Sequence, residues 1–143
     1  MGVVGFGLGR LIAHPQRTEI GVLQHAAVGV QRLAKDFDYI HVVDLAKGHV
    51  KAIEYSAEHK GTEIFNLGTG VGYSVLDIVK AFEKANSIEI PYVIKPRRAG
   101  DIAECFADAT KAKKILGWIA EKSLEDMCRD SWNWQSHNVN GYK

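Results

Sequence analysis

Glu63-Ile64-Phe65-Asn66-Leu67-Gly68-Thr69-Gly70-Val71-Gly72-Tyr73-Ser74-Val75-Leu76-Asp77 reads, in order, as a strand, a turn and the start of a helix. Glu63 to Leu67 is a short apolar run bounded by glycine, which predicts a strand. Gly68 to Gly72 predicts a flexible turn. Ser74 and Asp77 have capping-box spacing, and Val75, Ile78, Val79 and Phe82 then recur at helical spacing, predicting a helix through Ala85. Asn66, Gly68, Gly70 and Gly72 also suggest a phosphate cradle. The Lys-Ser/Thr ending of such a loop is absent, which favours a strand-to-helix turn that needs glycine dihedrals.

The same grammar extends both ways. Tyr39 to Val43 is a short apolar run, and Asp44 offers an N-terminal carboxylate for a helix to about His59. Leu45, Ala46, His49, Val50 and Ile53 share one side of that helix, and Gly61 ends it. Ile90 to Ile94 predicts a strand, with Pro91 marking a sheet edge. Asp108 caps a short helix ending near Leu116, with Gly117 as its stop. Ser123 and Asp126 begin a last helix carrying Leu124, Met127 and Trp134, to about His137. Trp118, Trp132 and Trp134 are expected to pack the last helices rather than stack on a sugar. Residues 20–34 are expected to be helical, with Val22, Leu23, Ala26 and Val30 apolar. Helices outweigh strands, so the fold class is mixed α/β (α+β) with a small sheet. It holds no complete Rossmann domain. Gly5-Phe6-Gly7-Leu8-Gly9 has only Met1 to Val4 before it, and Arg10 breaks the Gly-x-Gly-x-x-Gly pattern.

The 143 residues suit one domain with a real core, and 46% are apolar. Eighteen basic and seventeen acidic side chains leave a net charge of +1. That balance provides no global field for nucleic acid or an anionic membrane. No apolar run reaches spanning length, and the N-terminus lacks a signal-peptide layout. Cys105 and Cys128 are too few for a disulfide framework and lack metal-type spacing. A reduced, cytoplasmic protein is the expectation. His41 and His49 lie eight apart, which is not a metal-pair spacing.

One loop carries concentrated chemistry. Pro96-Arg97-Arg98-Ala99-Gly100-Asp101 sets two guanidiniums ahead of one carboxylate. Arginine presents a planar donor fork that grips phosphate oxygens. A carboxylate nearby can accept from a ribose diol or fix an arginine. Either a nucleotide diphosphate grip or a solvated basic loop fits these residues alone.

The chain resembles the C-terminal part of UDP-glucose 4-epimerases, of the extended short-chain dehydrogenase/reductase superfamily. The carriers are Asp38-Tyr39-Ile40-His41-Val42-Val43-Asp44-Leu45-Ala46, Phe65-Asn66-Leu67-Gly68-Thr69-Gly70 and Arg97-Arg98-Ala99-Gly100-Asp101. Ala107-Asp108-Ala109-Thr110-Lys111-Ala112, Leu116-Gly117-Trp118 and Trp132-Asn133-Trp134-Gln135 follow in the family's order. The resemblance spans Asp38 to Tyr142. It implies a divergent, partly helical segment at 1–37 and an epimerase-like substrate-binding domain at 38–143.

The resemblance also implies roles. Arg98 matches an arginine that contacts the UDP phosphates, and Asp101 a carboxylate that contacts the ribose. Tyr39 matches a tyrosine near the nucleotide-sugar cleft, although a core position suits it equally. Arg97 is either a second contact or exposed. Cys105 matches a position where a small side chain leaves room for a 2-acetamido group, or else it is a small buried hydrophobe. Phe37 stands where the family usually has an arginine, so one charge-assisted phosphate contact, about 1.5–3 kcal/mol, is expected to be missing. The family oxidises the sugar C4 hydroxyl with bound NAD, using a tyrosine whose phenol is made acidic by a lysine four residues later. Four positions after Tyr39, Tyr55, Tyr73 and Tyr92 stand Val43, His59, Asp77 and Pro96. The expectation is therefore a truncated homologue with no catalytic residue and no cofactor of its own. It would bind UDP-sugar weakly, with a separate cofactor-domain chain or a homo-oligomer as partner. The rival expectation is a non-catalytic oligomeric interaction module that keeps the fold.

Overall fold

The computed structural model describes residues 28–31, 37–96 and 104–141. Along the chain come β1 (Val28–Gln31), β2 (Phe37–Asp38), α1 (Val42–Glu58), β3 (Gly72–Tyr73) and α2 (Val75–Asn86). β4 (Tyr92–Lys95), α3 (Thr110–Leu116) and α4 (Leu124–His137) complete it. The mixed α/β class with a small sheet holds. The sheet is two separate pairs. β1 runs parallel to β4, and β2 runs antiparallel to β3 with Phe37 opposite Tyr73.

Local sequence explains the helices well. α2 starts with a full capping box: the Ser74 hydroxyl accepts from Asp77 N–H, and the Asp77 carboxylate accepts from Ser74 N–H. α4 repeats the arrangement with Ser123 and Asp126. Gly117 closes α3 in the left-handed region at φ 64°, as a C-cap glycine does.

Four expectations need correction. The helix expected over 20–34 falls partly outside the described residues, and Val28–Gln31 is a strand. Val28 and Val30 are β-branched, and pairing with β4 outweighs their helical spacing. Glu63 to Leu67 belongs to no strand, because no described segment pairs with it. α1 begins two residues before Asp44, with His41 as its N-cap. Asp108 does not cap α3 itself: Ala109 is the N-cap, and the Asp108 carboxylate accepts from Thr110 N–H at 2.9 Å.

Two apolar centres hold the fold. In one, Ile78 and Phe82 of α2 meet Leu124, Met127 and Cys128 of α4. Trp132 adds an edge-to-face contact with Phe82 at 5.9 Å. In the other, Ala112, Leu116 and Trp118 pack with Ala52, Tyr55 and Leu67. The inward side of α1 is Asp44, Gly48, Ala52 and Tyr55, not the expected Val50 and Ile53, which are exposed. Gly48 explains the inversion: a Cβ there would lie 2.6 Å from Leu67 Cδ1 and 3.2 Å from Trp118 Nε1. Close approach selects small residues on that side. Trp134, expected in the packing, is half exposed.

Candidate functional site

Asp38 is the organising residue of the face that carries Tyr39 and Cys105. One carboxylate oxygen accepts from Thr69 N–H at 2.9 Å and the Thr69 hydroxyl at 2.5 Å. The other accepts from Gly70 N–H at 3.0 Å and Ala107 N–H at 3.1 Å. Asp38 N–H donates to Cys105 C=O at 2.9 Å, and Phe37 bridges Cys105 in parallel. A single carboxylate thus ties β2, the glycine turn and the segment returning from the Arg-Arg loop. Charge-assisted bonds of this kind are about twice as strong as neutral ones. Sequence reasoning missed this clamp. Its signal was an aspartate beginning one block and a threonine between glycines in another, with nothing local to join them.

The clamp also decides what the glycine turn can do. Its Thr69 and Gly70 N–H groups are already bonded to Asp38. A Cβ on Gly68 would run into the Asp38 carboxylate and lie 2.7 Å from Ala107 Cβ. Gly68 is needed because protein packs against it, whereas the turn reading expected glycine dihedrals, which hold at Gly70 with φ 71°. Beside it, Thr69, Phe106, Thr110, Lys113 and Ile119 line an open groove of about 480 Å³.

Of the predicted contacts, Arg98 and Asp101 lie outside the described residues, as does Arg97. Tyr39 packs against the α2–α4 core. Burial raises its phenol pKa, so it stays protonated and can donate a hydrogen bond but not act as a base. Cys105 is exposed rather than buried, next to Phe37. Tyr39 and Cys105 therefore both adjoin the Phe37–Asp38 strand.

The neighbouring scaffold uses two more polar residues. His41 Nδ1 accepts from Val43 N–H at 3.0 Å, so its Nε2 carries the proton and donates to Asp130 at 3.1 Å. Among the described residues, the His49 ring bonds only Leu45 C=O, one turn back. Asp44 is fully buried and accepts from Glu121 N–H at 2.9 Å and Lys122 N–H at 2.8 Å. Trp118 Nε1–H donates to Asp44 C=O at 2.9 Å. Together these fix the start of α1 against the α3–α4 connection.

A family model described as GDP-mannose 4,6 dehydratase matches residues 16–131. The chain is 64% identical over 106 residues to the UDP-glucose 4-epimerase of Bacillus subtilis (strain 168), covering 74% of this chain and 31% of that protein. The chain belongs to this family and is a partial homologue of the UDP-glucose 4-epimerases. It is 52% identical over 105 residues to the human UDP-glucose 4-epimerase, covering 73% of this chain and 30% of that one. The crystal structure of the Bifidobacterium longum enzyme in complex with NAD+ and UDP superposes with a TM-score of 0.72 at 52% identity, over 83% of this chain and 37% of that one. The chain spans about a third of the length of the curated relatives it matches.

That relative's crystal structure holds NAD+. A dinucleotide needs free backbone N–H donors at a glycine turn. The described glycine turn has given its Thr69 and Gly70 donors to Asp38, so it does not fit the cofactor, and no step through NAD follows.

Proposed function

We propose that the chain is the nucleotide-sugar-binding portion of a UDP-glucose 4-epimerase-type protein, taking a UDP-hexose. The observation that carries this reading is the 64% identity over 106 residues, which includes the Arg98–Asp101 loop. The Asp38 clamp supports it, because it fastens residues 105–107, where the chain leaves that loop, against the Phe37–Asp38 strand. Arg98 would grip the diphosphate, Asp101 the ribose, and Tyr39 and Cys105 would border the sugar side. The proposed role of these residues is to bind and orient, since none of Tyr39, Tyr55, Tyr73 and Tyr92 has a lysine four positions later. Epimerisation would in addition need a cofactor domain, and its expected setting is the cytoplasm. An exposed Cys105 suits a cleft open to a 2-acetamido group.

Titration calorimetry with UDP, on the full chain and on Arg98→Ala, tests this. Weak saturable binding that the substitution abolishes is the expected result. A well-folded chain that binds no UDP would overturn the reading. A second reading, a non-catalytic interaction module, draws on the apolar residues exposed along α1.

A further inference from the structure

Tyr39, Ile40 and His41 join β2 to α1 and belong to no strand. Successive side chains of an extended segment point to opposite sides. Ile40 turns to the centre of Ala112, Leu116 and Trp118, whereas Tyr39 packs on the α2–α4 core. His41, extended at φ −67° and ψ 136°, follows Tyr39 to the α4 side. The segment is a seam between the two apolar centres, and side chains rather than a ladder set its place.

Two bonds fix the His41 ring. Its Nδ1 accepts from Val43 N–H at 3.0 Å, and its Nε2–H donates to Asp130 at 3.1 Å, across 89 positions of sequence. The His41 side chain is 4% exposed and that of Asp130 51%. A half-exposed carboxylate adds little to a core. Among the described residues it makes no other side-chain bond, since neighbouring Arg129 is held by Asp126 at 2.8 Å. What Asp130 supplies is the acceptor that a buried imidazole N–H requires. Without it the ring must turn to reach water, and an open hollow of about 390 Å³ beside Asp130 offers a way out. Tyr39, two residues earlier on the same side, moves with the backbone that carries the ring.

We propose that Asp130 is a positioning residue: through His41 it sets Tyr39 at the sugar side of the cleft. The proposal rests on the reading of the chain as a UDP-hexose binder. Asp38 holds the seam from its other end, by its bonds to Gly70 and Ala107. Asp38 and His41 therefore flank Tyr39, and each ties it to an element distant in sequence. In the proposed site the diphosphate and ribose belong to Arg98 and Asp101. A displaced Tyr39 then affects the hexose and spares the UDP.

Titration calorimetry with UDP-glucose and with UDP, on the full chain and its variants, is the test. Asp130→Ala should weaken UDP-glucose about tenfold and leave UDP within about twofold. Asp130→Asn keeps a carbonyl oxygen for the His41 N–H and should restore most of the loss. His41→Asn still offers Val43 an N-cap acceptor but is too short to reach Asp130. It should keep the helical circular dichroism and behave as Asp130→Ala does. A second readout needs no ligand. Burial holds the Tyr39 phenol pKa above its ordinary value. Its ultraviolet phenolate titration, taken as the difference from the matching Tyr39→Phe chain, should move down towards that value in Asp130→Ala and not in Asp130→Asn. Equal weakening of UDP and UDP-glucose overturns the proposal, as does an Asp130→Asn chain no better than Asp130→Ala. A Tyr39 titration that Asp130→Ala leaves unchanged also overturns it. A chain that binds no UDP overturns the binding reading instead, and the phenol titration then decides whether Asp130 positions Tyr39.

Discussion

Among the described residues, Asp38 accepts four hydrogen bonds, from residues 31, 32 and 69 positions away. Gly68 makes that possible by keeping its own volume out of the carboxylate's place. Its backbone is not in the left-handed region, so the requirement is space rather than dihedral freedom. Gly68→Ala should therefore destabilise the fold by about 1–3 kcal/mol, the usual cost of overpacking a tight contact. Urea denaturation followed by tryptophan fluorescence measures it. An unchanged midpoint would show that Asp38 and Ala107 can give way. Sequence reading found the glycines but assigned their need to dihedrals. Among the described glycines of this turn, that account is right at Gly70, with φ 71°.

At the scale of elements, the capped helices were the most legible part of the chain. Ser74 with Asp77 and Ser123 with Asp126 satisfy their own N–H groups within four residues, so the signal is entirely local. Ser74→Ala should cost about 1 kcal/mol at neutral pH. The Ser74 hydroxyl and N–H hold the Asp77 carboxyl pKa below its ordinary value. A depressed folded pKa gives stability that is present above the unfolded value and lost as pH falls through the folded one. The gap in stability between wild type and Ser74→Ala should therefore narrow below about pH 4. Chemical denaturation at neutral pH and at low pH checks the sign. α1 was legible as a helix, but its inward face was not. Hydropathy marked Val50 and Ile53, whereas contact with Leu67 and Trp118 admits only Gly48 and Ala52. Apolar periodicity reports that a face is apolar, not which partner it meets.

On the scale of the whole molecule, the α2–α4 core and the Asp38 clamp should open at different free energies. Their cysteines offer a readout. Cys128 is buried in the core, and burial pushes its thiol up to about 11. Cys105 is exposed beside the clamp. A thiol reagent at neutral pH should modify Cys105 quickly and Cys128 only as the α2–α4 pair unfolds. Mass spectrometry of the labelled chain should show one fast adduct, with the second appearing together with loss of helical signal. Equal rates at both sites would mean that the core opens as readily as the loop.

What the sequence determined by itself is whatever depends on neighbours a few residues apart. The helix of α2, the helix of α4, the Gly117 stop and the family blocks all have that character, and each was readable because its physics closes within one turn or one motif. The tertiary structure decided the rest. It made Val28–Gln31 a strand, made His41 the cap of α1 and turned α1 so that Val50 and Ile53 face outward. It also joined Asp38 to Thr69 and Ala107. Those outcomes depend on which distant segment comes close enough to pair, pack or donate, and that is settled by the shape of the folded chain rather than by any local spacing of residues.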